Sequence, residues 1–437
     1  MNQGKLTKKK VSAKNLSVES SKKSLKSLPI KDTQVIKTSQ FLLNTKITII
    51  GGGGIAATEL PKLARELRRQ GAEVQFCITE NCLKFIGIES LRWASNNEVI
   101  INPSGLAEHI CTSDALVISP ATADLISKTS NGICSDGATT LIQSALGMNK
   151  TIIYCPTMHE SLSFSPIIEE NKEKLKKMDG VFFTNPRIEE GKEKLPLPNI
   201  LAINICHIIN KRKYYSNKIK KVLLTIGGTR AMIDPVRCVT NLSTGSLGIE
   251  VAKTFYAMGI ETTVLCANTN KEVPEYDYSK LIYLPNYNEM YSYLKEINYN
   301  KYEGILHLVA GSDFTPKSIS NSKISSKEET LRIDLIRAKK ILDIDDLSKI
   351  PFKAAAKLTS GSEIEGLEIA KKMLINKKLN AVLHSTSESA WNKEKEHHGT
   401  ILKNTNGHIE ETCVNGKKEM AVQFYLSFKD FSDNKNE

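Results

Sequence analysis

Two α/β domains in tandem, each three layers thick with a mainly parallel sheet covered by helices, are what this sequence predicts. Short apolar runs alternate with helix-length amphipathic segments along most of the chain. A strand, a glycine turn and a helix open that alternation twice, and a polar, basic break separates the two series. The 437 residues are 40% hydrophobic and 25% charged. That is enough to bury a core but too long for a single ordinary one, so length also predicts two domains.

Residues 1–45 are expected to form a disordered basic tail. They hold ten lysines against Glu19 and Asp32, so most of the net charge of +12 sits there. Stretches such as KKKVSAK and SSKKSLKS cannot bury enough apolar surface to offset their ordering entropy. No RNA-binding motif accompanies the charge, so the tail reads as a solubilising extension with no specific nucleic-acid partner. No run approaches the roughly 18 apolar residues of a membrane span, and the amino-terminal stretch lacks a signal-peptide core. A cytoplasmic setting with no membrane partner is therefore expected. Nine cysteines are dispersed without a CxxC pair, which offers neither a disulfide framework nor a structural zinc site.

The first domain is expected over 46–210. ITII, Gly51 to Gly54 and IAATELPKLARELRRQG read as strand, glycine turn and helix. Further strands are predicted at 73–79, 115–119, 151–155 and 181–184, between helical segments at 82–93, 139–147 and 199–210. The basic stretch KRKYYSNKIKK places a linker at 211–220. The second domain, 221–431, restarts with KVLLTI, the turn Gly227-Gly228-Thr229 and a helix over 246–259. Strands follow at 261–267, 280–284, 304–310 and 380–385, with 400–404 as an antiparallel edge and 432–437 as a short tail. Both halves thus read as Rossmann-like. Ligands in such sheets lie beyond the carboxyl ends of the strands, where glycine admits a phosphate and a helix N-terminus adds partial positive charge. Neither turn is a GxGxxG, so the glycines alone leave phosphate binding and a plain tight connection both open.

His109 stands just ahead of the strand that ends in Ser119-Pro120-Ala121-Thr122-Ala123-Asp124. It reads as a base near a ligand crevice or as an ordinary histidine on a helix rim. The ordered set GGIAA, Thr79 in ITENCLKFI, His109-Ile110, PATA, and Asp136 with Thr139-Thr140 resembles the flavoprotein decarboxylases that act on cysteinyl carboxylates. The phosphopantothenoylcysteine decarboxylases are the nearest of these. The resemblance implies FMN held by Gly53, Gly54, Thr79, Pro120, Ala121, Thr122 and Thr139, with His109 as the base that assists thiol oxidation. Where that family has PATAN and PxMN, this chain carries Asp124 and His159. Residues 185–198, where the family places a cysteine-bearing flap, contain no cysteine.

The run KVLLTIGGTRAMIDPVRCVTNLSTGSLG, 221–248, resembles the signature of phosphopantothenate-cysteine ligases. Together the halves resemble the fused bacterial coenzyme A biosynthesis proteins from about Lys46 to about Phe431. The implied reaction joins a carboxylate to the amine of cysteine through an acyl nucleotide. Two anions must then meet, which requires donors and cations. Gly227, Gly228, Thr229, Ser243, Thr244 and Gly245 suit that cradle, and Asn241 matches the residue that positions the acyl intermediate. By the same resemblance Asp313 and Lys377 are nucleotide contacts, Phe352 is an aromatic contact, and Lys323 is the first lysine of a mobile flap. Here that flap continues Ile324-Ser325-Ser326, and Asp234 to Arg237 reads alternatively as a salt-bridged turn. The implied substrates are 4'-phosphopantothenate, cysteine and CTP with Mg2+, the implied end product is 4'-phosphopantetheine, and the implied assembly is a homo-oligomer. The alternative is a catalytically degenerate paralogue that keeps both pockets as a flavin- and nucleotide-binding regulatory protein.

Overall fold

A computed structural model describes residues 32–434, apart from 106, 216–219, 328, 392–395 and 406. Residues 1–31 of the expected tail, 216–219 of the expected linker and 435–437 lie outside the described residues. The chain divides into two compact units, the first reaching Asn217 and including 257–259, the second comprising the rest.

The first unit is built on β1 (Lys46–Gly51), β2 (Glu73–Ile78), β3 (Val99–Ile100), β4 (Ala115–Ala121), β5 (Thr151–Pro156) and β6 (Val181–Phe183). Their order is β3-β2-β1-β4-β5-β6, and every pairing is parallel. Buried on both faces, β4 and β5 carry no exposed residue, which is why each reads as an unbroken apolar run. The covering helices are α1 (Leu60–Arg69), α2 (Ile88–Ser95), α3 (Ala123–Ser130), α4 (Gly137–Gly147), α5 (Pro166–Lys176) and α6 (Pro198–Tyr215). In α1 the buried set Leu60, Leu63, Ala64 and Leu67 follows helical spacing.

Two expected boundaries move. The helix α6 continues to Tyr215, through half of the expected linker. Residues 32–45, expected to be part of a disordered tail, instead dock on the first unit. Thr38 N–H donates to Arg69 O at 2.8 Å and Leu42 N–H to Gln70 O at 2.9 Å, while Phe41 and Leu42 are buried. Asp32 accepts from Trp93 Nε1 at 2.7 Å, and Arg65 stacks over the same indole at 4.1 Å. Burying a leucine contributes roughly 1.5–3 kcal/mol, enough for a short apolar hook to override a lysine-rich average.

The second unit holds β7 (Lys221–Ile226), β8 (Glu261–Cys266), β9 (Ser279–Tyr283), β10 (Gly304–His307), β11 (Phe352–Thr359), β12 (Ala381–Thr386), β13 (His398–Thr405) and β14 (His408–Asn415). The order is β9-β8-β7-β10-β11-β12-β13-β14. The pairings are parallel up to β12, and β13 and β14 are antiparallel. Helices α7 (Ser246–Ala257), α8 (Tyr287–Glu296), α9 (Glu363–Asn376) and α10 (Gly416–Asn434) belong to this half of the sequence. The strand expected at 400–404 is antiparallel, but β14 and not β13 forms the edge. Both units keep the strand order that defines a doubly wound sheet, with its reversal between the first strand and the fourth.

Candidate active sites

In the first unit the reversal opens a crevice between the loops after β1 and β4. A Cβ on Gly52 would lie 2.5 Å from Pro120 O, and one on Gly53 would lie 2.5 Å from Asn81 Cβ. Gly54 faces Thr122 Cγ2 at 3.7 Å. The glycine turn is therefore pressed between two loops, which leave no space for a Cβ at Gly52 or Gly53. Thr79 donates both its N–H and its hydroxyl to Gly51 O, at 3.0 and 3.2 Å. Pro120 and Ala121 end the buried strand β4, and Thr122 Oγ1 caps α3 by accepting from Leu125 N–H at 3.3 Å.

The expected flavin contact Thr139 is placed differently. It is wholly buried in a capping box at the start of α4: its N–H donates to Asp136 Oδ1 at 2.8 Å and its hydroxyl accepts from Asp136 N–H at 3.1 Å. Its hydroxyl is engaged with Asp136 and shapes the loop. Asp136→Ala is expected to cost about 1 kcal/mol by removing this cap, read as a lower denaturant midpoint. His109 is exposed on the segment that Cys111 N–H, donating to Ser144 Oγ at 3.1 Å, ties to α4. No hydrogen bond joins His109 to the glycine turn among the described residues.

The two altered motif positions have local explanations. Asp124 lies in the first turn of α3, where negative charge suits the helix dipole, and pairs with Lys128 at 2.9 Å. His159 Nδ1 accepts from Ser161 N–H at 3.2 Å, so a neutral ring carries its proton on Nε2. The cysteine-free segment forms a hairpin, Arg187–Glu189 with Lys192–Lys194, that pairs with Met158–His159. Glu190 and Gly191, at φ 54° and 65°, make the two-residue turn.

In the second unit the corresponding crevice lies between the loops after β7 and β10. Gly227, at φ +87°, lets the turn approach Asn268, whose carbonyl would sit 2.5 Å from a Cβ there. Gly228 N–H donates to Asn268 O and Thr229 N–H to Ala310 O, at 2.9 and 3.1 Å. Thr229 Oγ1 accepts from Ser312 N–H at 2.9 Å. Gly228 and Thr229 thus spend their N–H groups joining loops; they frame the crevice without lining its cavity. The lining passes to the next loop: Asn241, Ser243, Thr244 and Gly245 border a cavity of about 900 Å³, beside the start of α7.

Asn241 Nδ2 donates to Ala310 O at 3.0 Å and Gly311 O at 3.1 Å, which leaves Oδ1 for a ligand. Asp313 lines the same cavity and pairs with Lys340 at 2.7 Å; Lys377 lines it and pairs with Asp343. Phe352 does not reach it. Its ring is fully buried, edge-on to Phe428 at 5.3 Å, so the expected nucleotide contact is a core residue. Lys323 is exposed and does not line the cavity, but its neighbour Ile324 is held: Asp234 Oδ2 accepts from Ile324 N–H and Arg237 Nη1 donates to Ile324 O, each at 3.1 Å. Asp234 to Arg237 is indeed a salt-bridged turn, at 2.7 Å, and it anchors the base of that segment. Burial alone would raise the Asp234 carboxyl, yet the N–H groups of Val236, Ile324 and Arg237 and the Arg237 guanidinium hold it below the usual range.

The sequence reading did not single out Lys357, Trp391, His397 or Lys417, which line this cavity. They lie on a strand, at the ends of two helices and in a loop, far apart in sequence, so only the topology gathers them. Burial pushes His307 down to about 4, and burial with the charges of Lys417 and His398 takes His397 to about 4. Both rings are neutral in the folded chain at pH 7, whereas an unfolded imidazole takes its proton near pH 6.5. The unfolded state then binds more protons between about pH 6.5 and 4, and stability falls as pH drops through that window. Urea midpoints are expected to be lower at pH 5 than at pH 7; equal midpoints would contradict buried neutral rings.

The comparisons follow this division. A family model described as Flavoprotein matches residues 36–210, and one described as DNA/pantothenate metabolism flavoprotein C-terminal domain matches 217–429. The chain is similar to the coenzyme A biosynthesis bifunctional protein CoaBC of Thermococcus kodakarensis, 34% identical over 368 residues, covering 82% of this chain and 89% of the relative. This chain belongs to the fused coenzyme A biosynthesis family. The relative from Methanocaldococcus jannaschii is 36% identical over 354 residues, covering 79% and 84% of the two chains. A solved structure of the DNA/pantothenate metabolism flavoprotein from Streptococcus pneumoniae aligns with a TM-score of 0.43 and 21% identity, over 48% of this chain and 99% of that one. Among the described residues no helix is long and apolar enough to cross a membrane, and no cluster of residues suited to a metal ion occurs.

Proposed function

We propose that both halves of this family member are catalytic: a phosphopantothenate-cysteine ligase in the second unit and a phosphopantothenoylcysteine decarboxylase in the first. The observation that carries the ligase reading is Asn241, held by two hydrogen bonds across the crevice, at the mouth of a cavity bordered by Ser243, Thr244 and Gly245. The carboxylate of 4'-phosphopantothenate attacks the α-phosphorus of CTP and pyrophosphate leaves, with Mg2+ accompanying the nucleotide. The cysteine amine then attacks the acyl carbon, CMP departs, and the amine gives up a proton. Asn241 Oδ1 accepts from an N–H or O–H of the bound substrates and so keeps the acyl group and the attacking amine in line, and the N–H groups at the start of α7 offset phosphate charge.

In the first unit the glycine turn, Thr79 and the Pro120 to Thr122 loop suit FMN, because a turn free of side chains at the end of a parallel strand lets a ligand approach its backbone. FMN supplies the reversible oxidation of the substrate thiol that makes loss of carbon dioxide possible. His109 takes the thiol proton, and His159, whose Nδ1 accepts from Ser161 N–H, leaves Nε2–H as a donor where the resembling family has an amide. Asp124 is held in an ion pair with Lys128. These residues retain usable chemistry, and the degenerate regulatory reading finds no support in relatives matched over most of their length. A homo-oligomer is part of the proposal.

A purified protein with flavin absorbance, and pyrophosphate release on mixing CTP, 4'-phosphopantothenate and cysteine, test the two halves separately. Colourless protein with no pyrophosphate release would overturn the reading. His109→Gln is expected to keep the flavin absorbance and lose carbon dioxide release at least a hundredfold, as general-base loss implies.

A further inference from the structure

We propose that Lys357, His397 and Lys417 form a second oxyanion-binding subsite in the cavity of the second unit, one that receives a phosphoryl group. The inference rests on the ligase reading and adds to it residues that the sequence reading did not place in the site.

Four elements converge on one sheet edge to build it. Lys357 lies near the carboxyl end of β11, in register with His384 on β12. Because β13 and β14 are antiparallel, β13 begins and β14 ends at that same edge, where His398 pairs with Asn415. His397 directly precedes β13, and its carbonyl accepts from Gly416 N–H at 2.7 Å, which brings Lys417 alongside. All three residues line the cavity that Asn241 and Ser243 border.

The charges in the cavity are unequal. Lys340 is neutralised by Asp313 and Lys377 by Asp343, whereas no ion pair to Lys357 or Lys417 occurs among the described residues. Lys417 also lies in the first turn of the 19-residue helix α10, which carries Glu419 in the same turn, and Glu396 lies against Gly416; neither carboxylate forms an ion pair with Lys417 among the described residues. Both ring nitrogens of His397 are buried without a hydrogen-bond partner among the described residues, polar capacity that the protein itself leaves unmet.

Phosphate oxygens of two ligands fit this chemistry, those of the nucleotide chain and those of the phosphomonoester of 4'-phosphopantothenate. Calorimetric titration of the full chain distinguishes them, with CTP, inorganic tripolyphosphate, 4'-phosphopantothenate and pantothenate as probes. The variants are Lys357→Gln, Lys417→Gln, the double substitution, and Lys357→Arg with Lys417→Arg. A tenfold or greater loss of CTP and tripolyphosphate affinity in the double Gln variant assigns the subsite to the nucleotide. The same loss for 4'-phosphopantothenate, with pantothenate unchanged, assigns it to the substrate. In either case the Arg pair is expected to restore binding and the thermal midpoint to stay constant. Affinities within twofold of wild type for every phosphorylated probe would overturn the subsite and leave the ligase reading standing. Wild-type protein that binds none of the phosphorylated probes would bring down the ligase reading as well.

Discussion

Asn241→Ala is expected to lower pyrophosphate release by about a hundredfold or more while moving the melting midpoint little. The side chain uses both amide hydrogens on Ala310 O and Gly311 O, so its Oδ1 is fixed relative to the loop after β10. Loss of such positioning typically costs a factor of about 10² in rate. The residue is exposed, so water can take over both carbonyls, and the stability cost stays near 0.5–1.5 kcal/mol. Asn241→Asp retains an acceptor but loses the two donations, and should therefore fail almost as badly. Normal turnover in either variant would remove Asn241 from the chemistry.

Phe352→Ala is expected to destabilise the second unit by about 3–5 kcal/mol, a large part of the roughly 5–15 kcal/mol that holds a domain folded. The ring is fully buried between Phe428, edge-on at 5.3 Å, and Phe431 at 5.7 Å. Phe352→Leu keeps most of that volume and should bind CTP as wild type does, with a modestly lower urea midpoint. A leucine variant with an unchanged midpoint and lost nucleotide affinity would restore the aromatic contact that the resemblance implies.

Much of the fold was legible because parallel strands buried on both faces must be continuously apolar, as ALVISPA and TIIYCP are. The strand β11 was harder to see: FKAAAKLT is rich in alanine, which favours helices, and only its place between β10 and β12 makes it a strand. β14 was invisible for the opposite reason, since HIEETCVN is an exposed edge whose single buried residue is Val414. At the sites the glycine turns follow the first strand of each unit as expected, but spacing cannot tell a glycine that offers its N–H to a ligand from one that spends it on a neighbouring loop. Gly228 does the latter. Nor does a motif reveal charges gathered by topology, as with Lys357 and Lys417, which lie sixty positions apart and line one cavity.

The docking of residues 32–45 bears on how the flavoprotein half can be studied alone. A fragment cut at Lys46, where the first strand begins, would strip Phe41 and Leu42 from the surface of α1 and uncover Trp93. Such a fragment would carry a sticky scar and tend to precipitate, whereas one starting at or before Asp32 retains its own cover.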